Sequence, residues 1–379
     1  EMAALSAELE DRCARAGEAL RVRGAAAGRL EILGRLALEV DPDMRRELFL
    51  ALEPLWRAID GGGERSPYRR LIRLSSERWR GGGSPIAVNA AALAIDEPMV
   101  EAWCRATLGA WRHAFVAPSP APIEPWDWWW AAGEAERLTA PLLPVERLVP
   151  IATEWHRALG ADPDALGIRL DVAPRRDRPP IPVAYTTFGR RPRRAAAGGT
   201  HDPGEPWVFA TYVGGGLGEL TELVHEIGHA IHIAAIDTRP AFADWPDSDA
   251  LTEAIAELPA LDTAEPAWQR RWLDQGADIP LEAAVRERYA AVALDAAWAL
   301  FEIELHRDPA GRPSDVWTAI SSTWLGIAPH PEWSWWAIRG QLVQEPGYMA
   351  NYAIGAVLAA DLRAALRRAR GDWLHGDPG

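Results

Sequence analysis

The stretch Leu220-Thr221-Glu222-Leu223-Val224-His225-Glu226-Ile227-Gly228-His229-Ala230-Ile231-His232 decides how this chain is read. Its apolar residues recur at helical spacing, so it is expected to form a buried helix. His225 and His229 are i and i+4, which sets both imidazoles on one helix face, about one turn apart. Glu226 falls between them in an otherwise apolar run. Ionisable groups are costly to bury unless they are paired or bind a metal. Two histidines in this register, with a carboxylate beside the first, suit a divalent cation, and zinc is the expected ion. Glu226 is then placed to take a proton from water held by the metal as that water attacks a carbonyl. Gly228 has no side chain and would let another element approach the metal closely.

The third ligand fixes the type of site. A three-histidine arrangement would need Gly at 232 and His at 235, and the chain has His232 and Ala235. Two carboxylates compete for the place. Asp249 lies 20 positions after His229 (249 − 229), and Glu253 lies 24 after it (253 − 229). Glu253 is favoured, because Leu251-Thr252-Glu253-Ala254-Ile255-Ala256-Glu257-Leu258 reads as a second helix. Glu257, i+4 from Glu253, is expected to accept the remaining N–H of a ligand histidine, which fixes its tautomer and raises its basicity. His232 and Glu222 read equally as structural residues or as neighbours of the site.

Outward from this core the chain is mostly helical. Helical patterns cover Glu1 to about Ile59, where Leu5, Leu9, Cys13 and Ala16 share a face, and then 97–115, 126–138 and 145–159. Gly61–Gly63 and Gly81–Gly83 bracket a short Arg-rich segment, and Pro118 to Pro125 forms a Pro-rich joint. Ile168–Val172, Val183–Phe188 and Trp207–Val213 read as short strands of one small, mostly antiparallel sheet preceding the histidine helix. Trp207–Val213 is a candidate edge strand, able to pair with an extended peptide. Further helices are expected over 217–234, 250–262, 280–306, 314–325 and 347–369. The fold class is therefore mainly α, two-lobed around a cleft. Residues 1–117 form an N-terminal helical region and 118–379 the catalytic region, both within one structural unit.

Composition excludes several functions. The 379 residues carry 40 basic and 54 acidic side chains, a net charge of −14, and every basic residue is Arg. Without Lys there is neither a Schiff-base site nor a P-loop. So acidic a chain is a poor general binder of nucleic acid or anionic membrane. No apolar run approaches the roughly 20 residues of a membrane span. Cys13 and Cys104 do not make a disulfide framework. The chain begins at Glu1 rather than Met, so the expected cytoplasmic location rests on cysteine usage alone. The 20 Trp, clustered at Trp126–Trp130 and Trp333–Trp336, are read first as core and second as cleft walls.

His225-Glu226-Ile227-Gly228-His229-Ala230-Ile231-His232 resembles the metal motif of the thimet-oligopeptidase and oligoendopeptidase F family. Glu253-Ala254-Ile255-Ala256-Glu257-Leu258-Pro259-Ala260-Leu261 is closer to the third-ligand helix of the angiotensin-converting-enzyme family. Trp126-Asp127-Trp128-Trp129-Trp130 is similar to an upstream Trp-Asp motif of such oligopeptidases. The resemblance covers roughly residues 120–370. It implies a helical two-lobed peptidase with one Zn2+ that cleaves short peptides. It also implies a late tyrosine as oxyanion donor, matched here by Gly347-Tyr348-Met349-Ala350-Asn351-Tyr352. A phenol O–H suits that role. Tyr348 and Tyr352 both remain candidates, since the family carries a further Tyr where this chain has Gly355. Arg339 and His330 are candidate substrate contacts, Arg339 as a fork for a peptide carboxylate. Two other readings are a hydrolase dedicated to one precursor peptide or amide, and a non-catalytic peptide-binding domain with structural zinc.

Overall fold

In a computed structural model of the chain, the described residues are all except 62, 80–83, 118–120, 176–179, 182, 191–203, 236–247, 274–280, 372 and 374–379. Gly81–Gly83 and the first part of the Pro118–Pro125 joint lie outside them. The described residues are mainly helical, with one two-stranded and one three-stranded sheet. They group into two compact units that do not follow one another along the chain. One comprises Glu1–Ala132 and Tyr289–Ile354, the other Gly133–Arg288 and Gly355–Gly379.

The first unit starts its helices with a repeated local device. Asp41, Ser66 and Ser84 each precede a proline at the first helical position and accept a hydrogen bond from a backbone N–H of the first turn. The side-chain oxygen satisfies an otherwise orphaned donor, and proline presets the helical φ. The pattern expected to run helically to Ile59 is broken by a hairpin of β1 (Arg21–Val22) and β2 (Ala25–Ala26). Arg23 (φ 50°) and Gly24 (φ 84°) are both left-handed, as the favoured two-residue hairpin turn requires. The tryptophans answer to the core reading in this unit. Phe49 is ringed by Trp56, Trp126, Trp129, Trp333 and Trp335, at centroid distances of 5.3–6.4 Å. Trp336 packs on Tyr68 and Phe301.

The second unit packs the helices Val145–Ala158 and Gly216–Ala235 against a three-stranded sheet, around a core including Trp155, Val208, Leu220, Leu223, Val224 and Trp268. The sheet has the order β3 (Arg169–Asp171), β5 (Glu205–Phe209), β4 (Tyr185–Arg190). β5 runs antiparallel to β4 and parallel to β3. The expected edge strand is therefore the central one, since β5 spends its backbone bonds on both neighbours and β4 lies at an edge.

The Gly216–Ala235 helix, which carries the histidines, is fixed at its start by acids. Glu219 accepts from the backbone N–H groups of Val213, Gly214 and Gly215 at 3.2, 3.2 and 2.7 Å. Glu136 accepts from Gly218 N at 2.7 Å, and Glu287 accepts from Glu136 N at 2.7 Å. Negative charge at this end also opposes the positive pole of the helix. Midway, buried His156 donates to the Val224 carbonyl at 3.1 Å, and burial pushes its imidazole down to about 4, so it is neutral.

The Asp249–Ala260 helix, started by Ser248 accepting from Leu251 N, crosses at Gly228. A Cβ on Gly228 would stand 2.9 Å from Ala256 Cα and 3.0 Å from its carbonyl oxygen, so the close approach expected of Gly228 is present.

Gly228→Ala would push backbone against backbone. A loss of about 1–3 kcal/mol is expected, the usual cost of overpacking, read by urea unfolding. Burial, followed by mutual repulsion in the case of Glu287, raises both Glu136 and Glu287 above the ordinary carboxylate range. The folded state then keeps protons that the unfolded chain has already lost. This contribution is fully present below the unfolded value of about 4.3 and is lost as pH rises through neutrality. Glu287→Gln is expected to flatten that decline, measured by denaturant unfolding from about pH 5 to pH 8.

Candidate metal centre

His225, His229 and Glu253 come together in the second unit, where one ligand atom from each lies within 4.8 Å of the others. His225 Nε2 is 3.3 Å and His229 Nε2 is 3.6 Å from the same oxygen, Oε2 of Glu253. The two rings stand at 90°, with centroids 4.6 Å apart. Donors about 2.0–2.1 Å from a tetrahedral zinc ion are separated by edges of about 3.3–3.4 Å. The arrangement fits that geometry.

The electronics fit as well. His225 Nδ1 lies 3.1 Å from Glu257 Oε2. With its Nδ1–H donated there, Nε2 presents a lone pair to a carboxylate oxygen that also faces His229. Three electron-rich atoms at these distances repel unless a cation or a proton lies among them. Burial opposes both charged forms, yet the two carboxylates Glu253 and Glu226 still hold His225 above the ordinary histidine range. The two imidazoles likewise hold Glu253 far below the carboxylate range, against burial. Among the described residues the group offers two His and one carboxylate, three of the four donors of a tetrahedral zinc site.

Glu226 is buried beside this group. Its Oε2 accepts from Thr186 Oγ1 at 2.6 Å, and the same hydroxyl lies 2.9 Å from the Glu226 carbonyl oxygen. Thr186 comes from β4, 40 positions earlier, so no local spacing links it to the motif. Arg288 pairs with the other oxygen of Glu257. Neither residue was found from the sequence. A period-2 reading of Tyr185-Thr186-Thr187 puts Thr186 on the opposite face from Tyr185, but not against Glu226.

The remaining candidates fall as follows. Asp249 is the first residue of the second helix, and the carboxylate in the group is that of Glu253. Glu222 faces Tyr212, and His232 is lowered by burial. A Cβ on Gly355 would stand 3.0 Å from Glu253 Cβ and 3.2 Å from the Ala250 carbonyl oxygen, so the glycine packs closely on the Glu253 helix. Tyr348, Tyr352, Arg339 and His330 belong to the first unit. The two tyrosine rings meet edge-on at 5.5 Å, and the Tyr352 hydroxyl accepts from Gln341 Nε2 at 3.3 Å. Arg339 is paired with Asp295 at 2.6 Å and lies over the rings of Trp298 and Tyr352. His330 stacks on Trp333 and meets Glu124 and Glu332 through its two ring nitrogens. Burial lowers it, but these carboxylates outweigh burial and raise it.

No family model matches the chain, and no curated protein matches it. Solved structures do. The chain superposes along its whole length on PZ peptidase A (TM-score 0.67, 13% identity, 69% of that chain covered). It matches a candidate oligoendopeptidase F from Bacillus anthracis str. Ames over 97% of its length (TM-score 0.61, 13% identity, 65% of that chain). It also matches oligoendopeptidase-F from Enterococcus faecium over 98% (TM-score 0.51, 15% identity, 63% of that chain). The fold is thus that of the oligoendopeptidase F type of helical peptidase. The chain spans about two-thirds of the length of these counterparts. The resemblance of the Glu253–Leu261 stretch to the converting-enzyme family is not borne out by these counterparts. No helix among the described residues is long and apolar enough to cross a membrane.

Titration of the purified protein with Zn2+ against a competing chelator checks the donor set. Glu257→Gln is expected to weaken binding about 10–100-fold, the usual effect of removing the partner of a ligand histidine. Asp249→Asn should leave it within about twofold, whereas Glu253→Gln should abolish tight binding. Affinity should fall with pH as the histidines take up protons in place of the metal.

Proposed function

We propose that the chain is a zinc-dependent peptidase that hydrolyses peptide bonds in short peptides, with His225, His229 and Glu253 holding one Zn2+. The observation that carries this reading is the meeting of those three donors beside buried Glu226, on a fold whose solved counterparts are peptidases. When bound, zinc would supply Lewis acidity toward a carbonyl oxygen and make water more acidic.

The chain's own residues do the rest. Glu226 is the general base: its carboxylate takes a proton from the attacking water and delivers it to the leaving amine. Thr186 holds one Glu226 oxygen, so the proton is received by a carboxylate of fixed orientation. Glu257 keeps His225 in the tautomer whose Nε2 lone pair faces inward. Tyr348 and Tyr352 are the oxyanion donors, on the strength of their motif and of phenol chemistry. Arg339 and His330 enter only as residues for which a peptide carboxylate would have to compete with Asp295, Glu124 and Glu332.

Metal analysis, together with mass spectrometry of the products from a mixed peptide library, tests this. Glu226→Gln should retain one zinc per chain and lose hydrolysis by roughly 10²–10⁴-fold. Full activity in that variant would remove Glu226 from the role of base. A single product from the whole library would point instead to a dedicated precursor-processing enzyme. Thr186→Val should lower kcat about tenfold or more, the worth of a hydrogen bond to a charged group, with zinc content unchanged.

A further inference from the structure

Glu302 is fully buried in the helix Leu281–Arg307, and its carboxylate faces the start of the helix Met349–Arg370. Its two oxygens accept from Gly347 N at 2.6 Å and Met349 N at 2.9 Å, the residues on either side of Tyr348. The backbone of Tyr348 is fixed as well: its N–H donates to the Glu345 carbonyl at 3.0 Å, and its carbonyl accepts from Asn351 N at 2.8 Å. Gly347 is left-handed at φ 92°, and a Cβ there would stand 2.8 Å from Pro85 Cβ and 3.2 Å from Ile86 N. All of these residues belong to one compact unit. The Gly347 carbonyl accepts from Ala350 N at 3.4 Å, so every backbone polar group from Gly347 N to Met349 N is engaged.

Glu136 does the same for one amide of the Gly216–Ala235 helix, but several helices start otherwise. At Ser66, Ser84, Asp96 and Ser248 a cap from the adjoining residue is enough. Here the acceptor comes from 45 positions away (347 − 302) and is a carboxylate taken wholly out of water, which raises it to about 8. A buried, distant acid thus holds the backbone on both sides of one side chain.

We propose that Glu302 is a positioning residue for Tyr348, clamping the backbone on both sides of it so that its hydroxyl is presented in one orientation. This rests on the reading of Tyr348 as an oxyanion donor. A small displacement of a catalytic group costs large factors in rate, so the clamp acts on kcat.

A double-mutant cycle read in kcat and KM tests it. Tyr348→Phe should lower kcat about 10²-fold, as loss of an oxyanion donor does. Glu302→Gln, which keeps the shape but can serve only one of the two donors through its carbonyl, should lower kcat about tenfold with KM within about twofold. In the Tyr348→Phe background Glu302→Gln should cost nothing further. Losses that multiply would overturn the positioning role and leave Tyr348 as donor. An unchanged kcat in Tyr348→Phe would remove Tyr348 from the mechanism and this inference with it. Glu302→Asp, which keeps the carboxyl group and shortens the reach, provides a second arm of the cycle should Glu302→Gln not fold. In the unmodified protein, hydrogen exchange at Gly347 and Met349 should be slow for first-turn amides. Exchange at the rate of free amides would show that Glu302 does not hold them.

Discussion

Two lone-pair nitrogens and a carboxylate oxygen stand within tetrahedral distance of one another in a buried setting, and the surrounding structure makes that repulsive arrangement possible. It requires the two helices to touch at backbone level, which Gly228 against Ala256 provides. A larger residue at 228 would part the helices and open the triangle. The histidine helix must also be held at its start and middle, which Glu136, Glu219 and His156 do through its backbone and the turn before it. The fold there serves the geometry of three atoms.

What was legible in the chain divides by range. The i, i+4 relation of His225 and His229 is local, and helical period alone puts them on one face. Glu253 and Glu257 were legible because they too form an i, i+4 pair in an evident helix, which already favoured Glu253 over Asp249, and the crossing of the two helices brings Glu253 to the histidines. The five helices expected after residue 216 and the three strands were found within a few residues, since each is a run of one period bounded by Gly, Pro or charged residues, whereas the short helices Pro266–Trp272 and Gln341–Gln344 were missed. Strand order was not. β5 reads as an edge from its position before the histidine helix, yet two partners, one parallel, fill both its sides. Thr186 and Arg288 were illegible for the same reason: their partners lie far along the chain, and nothing in their neighbourhood marks them.

Acidic residues recur as backbone anchors in this chain. Glu219 gathers three loop amides before the histidine helix, Glu136 the Gly218 amide within it, and Glu302 two amides at the Met349–Arg370 helix. Amides at helix starts lack intrahelical acceptors and sit at the positive pole, so a carboxylate is well suited there. Burial raises the acid's pKa, so the same anchors tie the helix starts to pH.

The three glutamates nearest the histidines show how partners divide one residue type into separate roles. Glu253 faces two imidazoles and is kept ionised by them, which suits the ligand role proposed for it. Glu257 is shared between the His225 ring and the Arg288 guanidinium; that salt bridge holds its charge in place and limits how strongly it draws the imidazole proton. Glu226 is held by a neutral hydroxyl. An Arg in the place of Thr186 would fix the same orientation but stabilise the anion and make it a poorer base. In a chain whose basic residues are all Arg, permanently charged at any working pH, Thr186 fixes the Glu226 carboxylate without setting a cation against it, which suits the role of base proposed for it.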